Sequence, residues 1–203
     1  MAPVVVDPDK VRSFKSAKAL EDWYRKNHDK ADELWLRVYK QGSGDESVTI
    51  GEALDAALCW GWIDGIRKSY DAESYLQRYT LRGKKSIWSQ INREHVARLI
   101  AEGRMTEHGL RQVDAAKGDG RWDKAYAAGS KLEPPADLLE AIKAEPMAYA
   151  LYQQLNSQNR YALAFRVHNL RTEAGRKRKI AAFVEMLKRG ETIYPNGKGR
   201  TPK

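Results

Sequence analysis

Residues 49–70 read TIGEALDAALCWGWIDGIRKSY, and a change of period inside this run decides the fold. Thr49 and Glu52 form a capping box: the hydroxyl accepts from an early helical N–H and the carboxylate reaches back to the cap. Behind them Ala53 and Ala57, and Leu54 and Leu58, repeat four apart, the spacing of one face of a helix over about 50–60. The small alanines let that helix lie close to a sheet. Gly61 falls where a left-handed, helix-ending residue is expected. From Trp62 to Tyr70 the pattern turns to that of a strand, and 74–82 reads as a second strand joined to it by Asp71-Ala-Glu73, an antiparallel hairpin.

On the N-terminal side, Leu34, Leu36 and Val38 alternate with Trp35, Arg37 and Tyr39, the period of two of a strand over 33–40 with one buried face. Leu20, Trp23 and Tyr24 mark the buried stripe of a helix over 17–28. The glycines of Gln41-Gly-Ser-Gly-Asp45 make a turn or loop. On the C-terminal side a helix over 89–102 carries Asn92 on the stripe of Val96, Leu99 and Ile100, Gly103 caps it, and Thr106 opens another helix to about 116. The expected fold class is α+β: a small antiparallel sheet of about three strands packed with helices, followed by an all-helical C-terminal module.

The boundaries follow composition. Residues 1–118 form the α+β domain, and 119–131, with Gly120 and Gly129, read as a linker. Residues 132–190 form the helical module, with helices over 136–144, 146–155, 157–169 and 173–189, Pro146 sitting at a first helical position. Residues 191–203 read as a basic flexible tail. The net charge of +9 is concentrated: 171–203 hold ten Lys or Arg against three acids, a net +7.

A single cysteine forms no internal disulfide, and four scattered histidines offer no structural zinc spacing. Val4-Val5-Val6 is far short of the roughly 7–15 apolar residues of a signal-peptide core, and no run approaches the ~20 that cross a bilayer. The expectation is a soluble, cytoplasmic chain without a transmembrane segment. No phosphate-binding glycine loop or dinucleotide fingerprint implies a cofactor.

The candidate chemistry centres on 59–68. Trp60, Trp62, Asp64, Arg67 and Lys68 crowd aromatics and opposite charges beside two glycines, where indoles can wall a pocket or stack on a ligand. Equally, both tryptophans can fill the core while Asp64 pairs with Arg67. Arg78, Tyr79 and Arg82 offer an anion-binding edge or cross-strand ion pairs, and Trp88 with Asn92 a ligand contact or a structural tie. Asp64 is the candidate catalytic residue if the chain is an enzyme acting on an anionic small molecule. Cys59, on an Ala/Leu-rich face, reads as core.

Arg176, Lys177, Arg178 and Lys179, with Lys188 and Arg189, are the alternative site: a nucleic-acid or anionic surface. Four consecutive residues point all round a helix, so the run is equally a solvated helix start. The expected partner is a small molecule or peptide, with nucleic acid as the alternative; oligomeric state is not readable.

Several stretches together resemble the YdeI/OmpD-associated, or bacteriocin-protection, family: WYRKNH (23–28), Glu33-Leu-Trp35, Tyr39-Lys40, Glu52-Ala53-Leu54, CWGWIDG (59–65), Arg67-Lys68, Arg78-Tyr79-Thr80 and Ser86-Ile-Trp-Ser89 with Asn92, continuing through the final helices to Gly190. The resemblance implies a stress-protection protein that counters bacteriocins or cationic antimicrobial peptides, and carries no catalytic residues with it.

Overall fold

The computed structural model describes residues 4–126, 132–170 and 172–196. The chain divides into two compact units, Met1–Ala125 and Tyr126–Lys203. It is an α+β protein: among the described residues, a four-stranded mixed sheet and eight helices, four in each unit.

In the first unit the order is β1 (Val11–Arg12), α1 (Ala17–Asn27), β2 (Glu33–Tyr39), α2 (Ile50–Cys59), β3 (Trp62–Ser69), β4 (Ser74–Leu81), α3 (Gln90–Ala101) and α4 (Glu107–Gly118). The sheet order is β1-β2-β4-β3. β4 runs antiparallel to both β2 and β3, as the hairpin reading expects. The sheet gains one strand over that reading: β1, two residues long and parallel to β2, pairs Val11 with Trp35. A two-residue strand has no period to read.

The capping box of Thr49 and Glu52 is formed, and Ser16, Ser89 and Thr106 cap α1, α3 and α4 through their hydroxyls. Gly61 takes φ +77°, ending α2 and turning the chain into β3. One core lies between the sheet and α1/α2, where Leu34, Leu36, Val38, Trp62 and Tyr79 meet Leu20, Tyr24, Ala53 and Ala57. A second joins Leu58, Cys59 and Trp88 to Val96, Leu99 and Val113, with Trp122 and Ala125 packed on its border. Trp122 and Ala125, in the expected linker, thus pack on this unit's core; 127–131 fall outside the described residues.

β2 departs from the one-sided pattern. Trp35, on the face opposite Leu34 and Leu36, is fully buried. The Lys68 ammonium and the Arg78 guanidinium each lie 5.9 Å from its ring, and Lys68 Nζ donates to the Val4 carbonyl. Long cationic side chains cover apolar surface with their stems.

In the second unit α5 (Ala136–Lys143), α6 (Pro146–Gln154), α7 (Ser157–His168) and α8 (Glu173–Lys188) enclose a core of Leu138, Ile142, Leu163, Val167, Phe183 and Leu187. Pro146 opens α6 at its first turn.

Candidate functional site

The run 59–65 disperses as it folds. Cys59 ends α2, 2% exposed, and burial pushes its thiol up to about 11, which leaves it protonated and poorly nucleophilic near neutral pH. Trp60 follows as the helix cap and is half-buried. It borders a cleft of about 140 Å³ with Glu21, Arg25 and Arg104. Trp62 is wholly buried: its indole N–H donates to the His28 carbonyl at 3.1 Å, and its rings meet Trp23 and Tyr24 edge-on at 5.9 and 5.4 Å. It is a core residue.

Beyond Trp62 the hairpin is irregular. Asp64 stands opposite Tyr79 and Arg67 opposite Gln77, so two residues, Gly65 and Ile66, pass the single Arg78. This bulge keeps Asp64 and Arg67 on one face, since one extra residue between them restores the parity of the pleat. A regular strand would put them on opposite faces, and that is how a strict alternation over 62–68 reads.

Gln77, 3% exposed, fills the bulge: its Nε2 donates to the Gly65 carbonyl at 3.0 Å, and its Oε1 accepts from Arg67 Nε at 3.1 Å. The Arg67 guanidinium lies 4.6 Å from the Tyr75 ring centroid. Asp64 is exposed at the surface yet ringed by protein. Desolvation pushes its carboxyl up, against the pull of its own backbone N–H and of Arg82 and Arg67. Tyr79, 1% exposed, has a hydroxyl with no hydrogen-bond partner among the described residues, and burial pushes it well up, with Asp64 adding to the shift.

The other expected site residues lie apart from this group. Arg78 points to the opposite face and donates to Glu33 at 2.6 Å. Lys68 shares that face over Trp35. Trp88 is buried in the second core beneath Arg82, whose guanidinium carbon lies 3.6 Å from the indole centroid and whose Nη1 donates to the Ile87 carbonyl at 3.0 Å. Asn92, half-buried, sits in the first turn of α3, its backbone N–H donating to Ser89 Oγ at 3.1 Å. Thus Asp64, Arg67 and Tyr79 come together, and Trp60, Trp62, Trp88, Asn92, Arg78 and Lys68 do not join them. An open depression of about 520 Å³ at the starts of α1 and α2, flanked by Lys15 and Lys40, is lined by none of these residues.

Sequence reading missed Gln77, whose place in the bulge depends on a register that only the paired sheet defines. It also missed an ion cluster around the buried Asp55. Asp55 of α2 receives Arg98 Nη2 at 2.7 and 2.6 Å on its two oxygens, and His95 Nδ1 lies 2.7 Å from Oδ1. The signal is one acid on a helix, three and four residues before Leu58 and Cys59, with no cationic partner on that helix.

At the basic C-terminal end, four of the six expected residues are in ion pairs: Arg176 with Asp137 at 2.6 Å, Lys177 with Glu173 at 2.7 Å, Lys188 with Glu185 at 2.9 Å and Arg189 with Glu191 at 3.0 Å. Lys179 lies over the Phe183 ring and Arg178 is exposed. Arg171, Lys198, Arg200 and Lys203 fall outside the described residues. Among the described residues, no helix is long and apolar enough to cross a membrane.

Residues 131–190 match the family described as bacteriocin-protection, YdeI or OmpD-associated, which supports the resemblance read from the sequence. Residues 12–112, including CWGWIDG and strands β2, β3 and β4, match a domain of unknown function (DUF8412). No curated protein and no solved structure matches the chain.

Proposed function

We propose that this chain is a cytoplasmic binding protein of the bacteriocin-protection kind, and that it takes a polar small molecule or peptide on the β3–β4 face between Asp64 and Arg67. The observation that carries the reading is the grouping of Asp64, Arg67 and the Tyr79 hydroxyl around one bulge. A carboxyl raised by desolvation and a guanidinium oriented by Gln77 give a ligand an acceptor and a donor side by side, with the Tyr79 hydroxyl buried beneath them. The match of 131–190 to a bacteriocin-protection family supports the stress-protection role. A second reading, an enzyme with Asp64 as general acid and Arg67 holding an anion, draws on the same raised carboxyl.

The test is a thermal-shift screen of the full-length protein against amino acids, sugar acids, nucleotides and short peptides, followed by titration of each hit. Asp64→Asn and Arg67→Ala should each weaken binding by about tenfold or more, as expected for loss of a charge-assisted hydrogen bond, while circular dichroism stays unchanged. Unaltered affinity in both variants sinks the site. Consumption of the bound hit selects the enzyme reading. A strain lacking the gene should be more sensitive to bacteriocins, with the wild-type gene restoring resistance and the Asp64→Asn gene failing to.

A further inference from the structure

Away from this face, two histidines distant in sequence lie ring against ring. His28 caps the C-terminal end of α1, and His108 sits in the first turn of α4. Their ring centroids are 3.9 Å apart. The Trp60 indole closes the group, 4.8 Å from His28 and 5.7 Å from His108, nearly parallel to the latter at 17°.

The hydrogen bonds fix where each proton stands. His28 Nδ1 lies 3.0 Å from the Tyr24 carbonyl, which only accepts, so Nδ1 carries the hydrogen. At His108 the Arg111 guanidinium donates to Nδ1. Arginine stays protonated, so this nitrogen keeps its lone pair and the hydrogen stands on Nε2, 3.6 Å from Glu107 Oε1. A proton arriving at His108 must therefore displace Arg111.

The groups facing the pair are opposed in sign. Arg111 from α4 and a charged partner ring disfavour the cation, while Glu107 from α4 and Asp29, just past α1, favour it. Desolvation and the two cationic groups prevail, and His108 is lowered from 6.5. The sign follows: the unfolded chain binds the proton more readily. The contact is worth its full amount above pH 6.5 and loses it as pH falls through that value and below.

We propose that the His28–His108 contact is a pH-sensitive latch that holds the first turn of α4 against Trp60 and the end of α1 while His108 is neutral, and releases it when His108 is protonated. Movement has one available direction. A Cβ built on Gly61 would lie 2.9 Å from the His108 carbonyl, so α4 already sits as close to the α2–β3 turn as backbone allows. Repulsion can only lift it away. This device is independent of the β3–β4 face.

The test is hydrogen exchange and tryptophan emission of the full-length protein from about pH 7.5 to about pH 5, where histidine titrates. The amides of Lys30, Ala31 and Leu110, bonded to Asn27, Asn27 and Thr106, report on the two latched ends. After correction for intrinsic rates they should exchange about tenfold or more faster at the acid end. Trp60 emission should change with a midpoint below 6.5, the change being absent in Trp60→Phe. His108→Gln and His28→Asn should each flatten both signals. A flat wild-type profile, or a step that survives in either folded variant, overturns the latch. If both variants fail to fold, the wild-type protein decides alone: the His108 Cε1–H resonance must titrate together with the exchange step, and titration without it also overturns the proposal.

Discussion

Gln77 spans the sheet to Gly65, its Nε2 donating to the carbonyl at 3.0 Å in the step where β3 takes two residues to pass one of β4. The same carboxamide orients Arg67 through Oε1. A buried amide that satisfies a bulge carbonyl and an arginine at once serves both fold and site. Gln77→Leu conserves volume and removes both bonds. It should cost about 1–3 kcal/mol, the range for stranding a buried polar group, and should also weaken any ligand of the Asp64–Arg67 face. Urea unfolding checks the first effect and titration the second. A stability loss below ~0.5 kcal/mol would show that solvent already satisfies the bulge.

α4 carries two glycines that should respond to alanine with opposite signs. A Cβ on Gly109 would lie 2.4 Å from the Cys59 carbonyl and 2.7 Å from that of Leu58, because α4 crosses the end of α2 at backbone contact. Thr106 fastens that crossing by donating to the Cys59 carbonyl at 2.6 Å. Gly109→Ala must push the helices apart and should cost about 1–3 kcal/mol. Gly118, in the last turn, has nothing within 4 Å of its built Cβ, and Gly118→Ala should gain roughly 0.5–1 kcal/mol from helix propensity alone. Paired thermal melts of the two variants decide this.

Periodic features were legible in sequence, and partnerships were not. The alternation of Leu34, Leu36 and Val38, the capping box at Thr49 and the turn at Gly61 each rest on residues a few positions apart, and each stands as read. Trp35 was read onto an open face because its covers, Lys68 and Arg78, come from other strands. Asp64 and Arg67 share a face only through a bulge, and bulges follow from register. The Trp62 indole is offered by its sequence neighbours as a ligand contact, but the His28 carbonyl that holds it lies 34 positions away, beyond any local pattern. The charge of Arg176 was counted as free because Asp137 lies 39 positions upstream.

Asp55 makes a pH-dependent contribution whose sign can be worked out. Burial alone would raise its carboxyl, but hydrogen bonds from Arg98 and His95 more than reverse that, and it ends below 3.8. A carboxylate depressed on folding stabilises the protein fully above its unfolded value and loses that contribution as pH falls through the folded one. Asp55→Asn should therefore cost about 1–3 kcal/mol at neutral pH, where it discards charge-assisted bonds. The gap from wild type should narrow below about pH 4. Unfolding curves at both pH values test this; a gap independent of pH would assign the loss to packing.

In the second unit Asn159 ties residues 194–196, read from the sequence as part of a mobile tail, back onto α7. Its Nδ2 donates to the Tyr194 carbonyl at 3.1 Å while its Oδ1 accepts from the Tyr194 N–H at 3.0 Å, so one buried side chain pairs with a backbone unit as a neighbouring strand would. Asn196 Oδ1 accepts from the Asn156 N–H at 2.8 Å and secures the same segment. Asn156 Oδ1 accepts from the Asn159 side chain at 3.2 Å and also from the Asn159 backbone N–H, and this second bond, the cap of α7, is one that no side-chain change at 159 removes. Asn159→Leu should thus cost about 1–3 kcal/mol through the loss of its bonds to Tyr194 and of the weaker ones to Asn156 Oδ1 and Asn196 Oδ1. The Tyr194 amide should lose its protection against exchange, while the amides of α7 keep theirs. If Tyr194 remained protected in this variant, the tie would have to come from Asn196 and from the Asn156 side chain on Pro195, and the two-way bond of Asn159 would be a consequence of the ordering of 194–196 and not its cause.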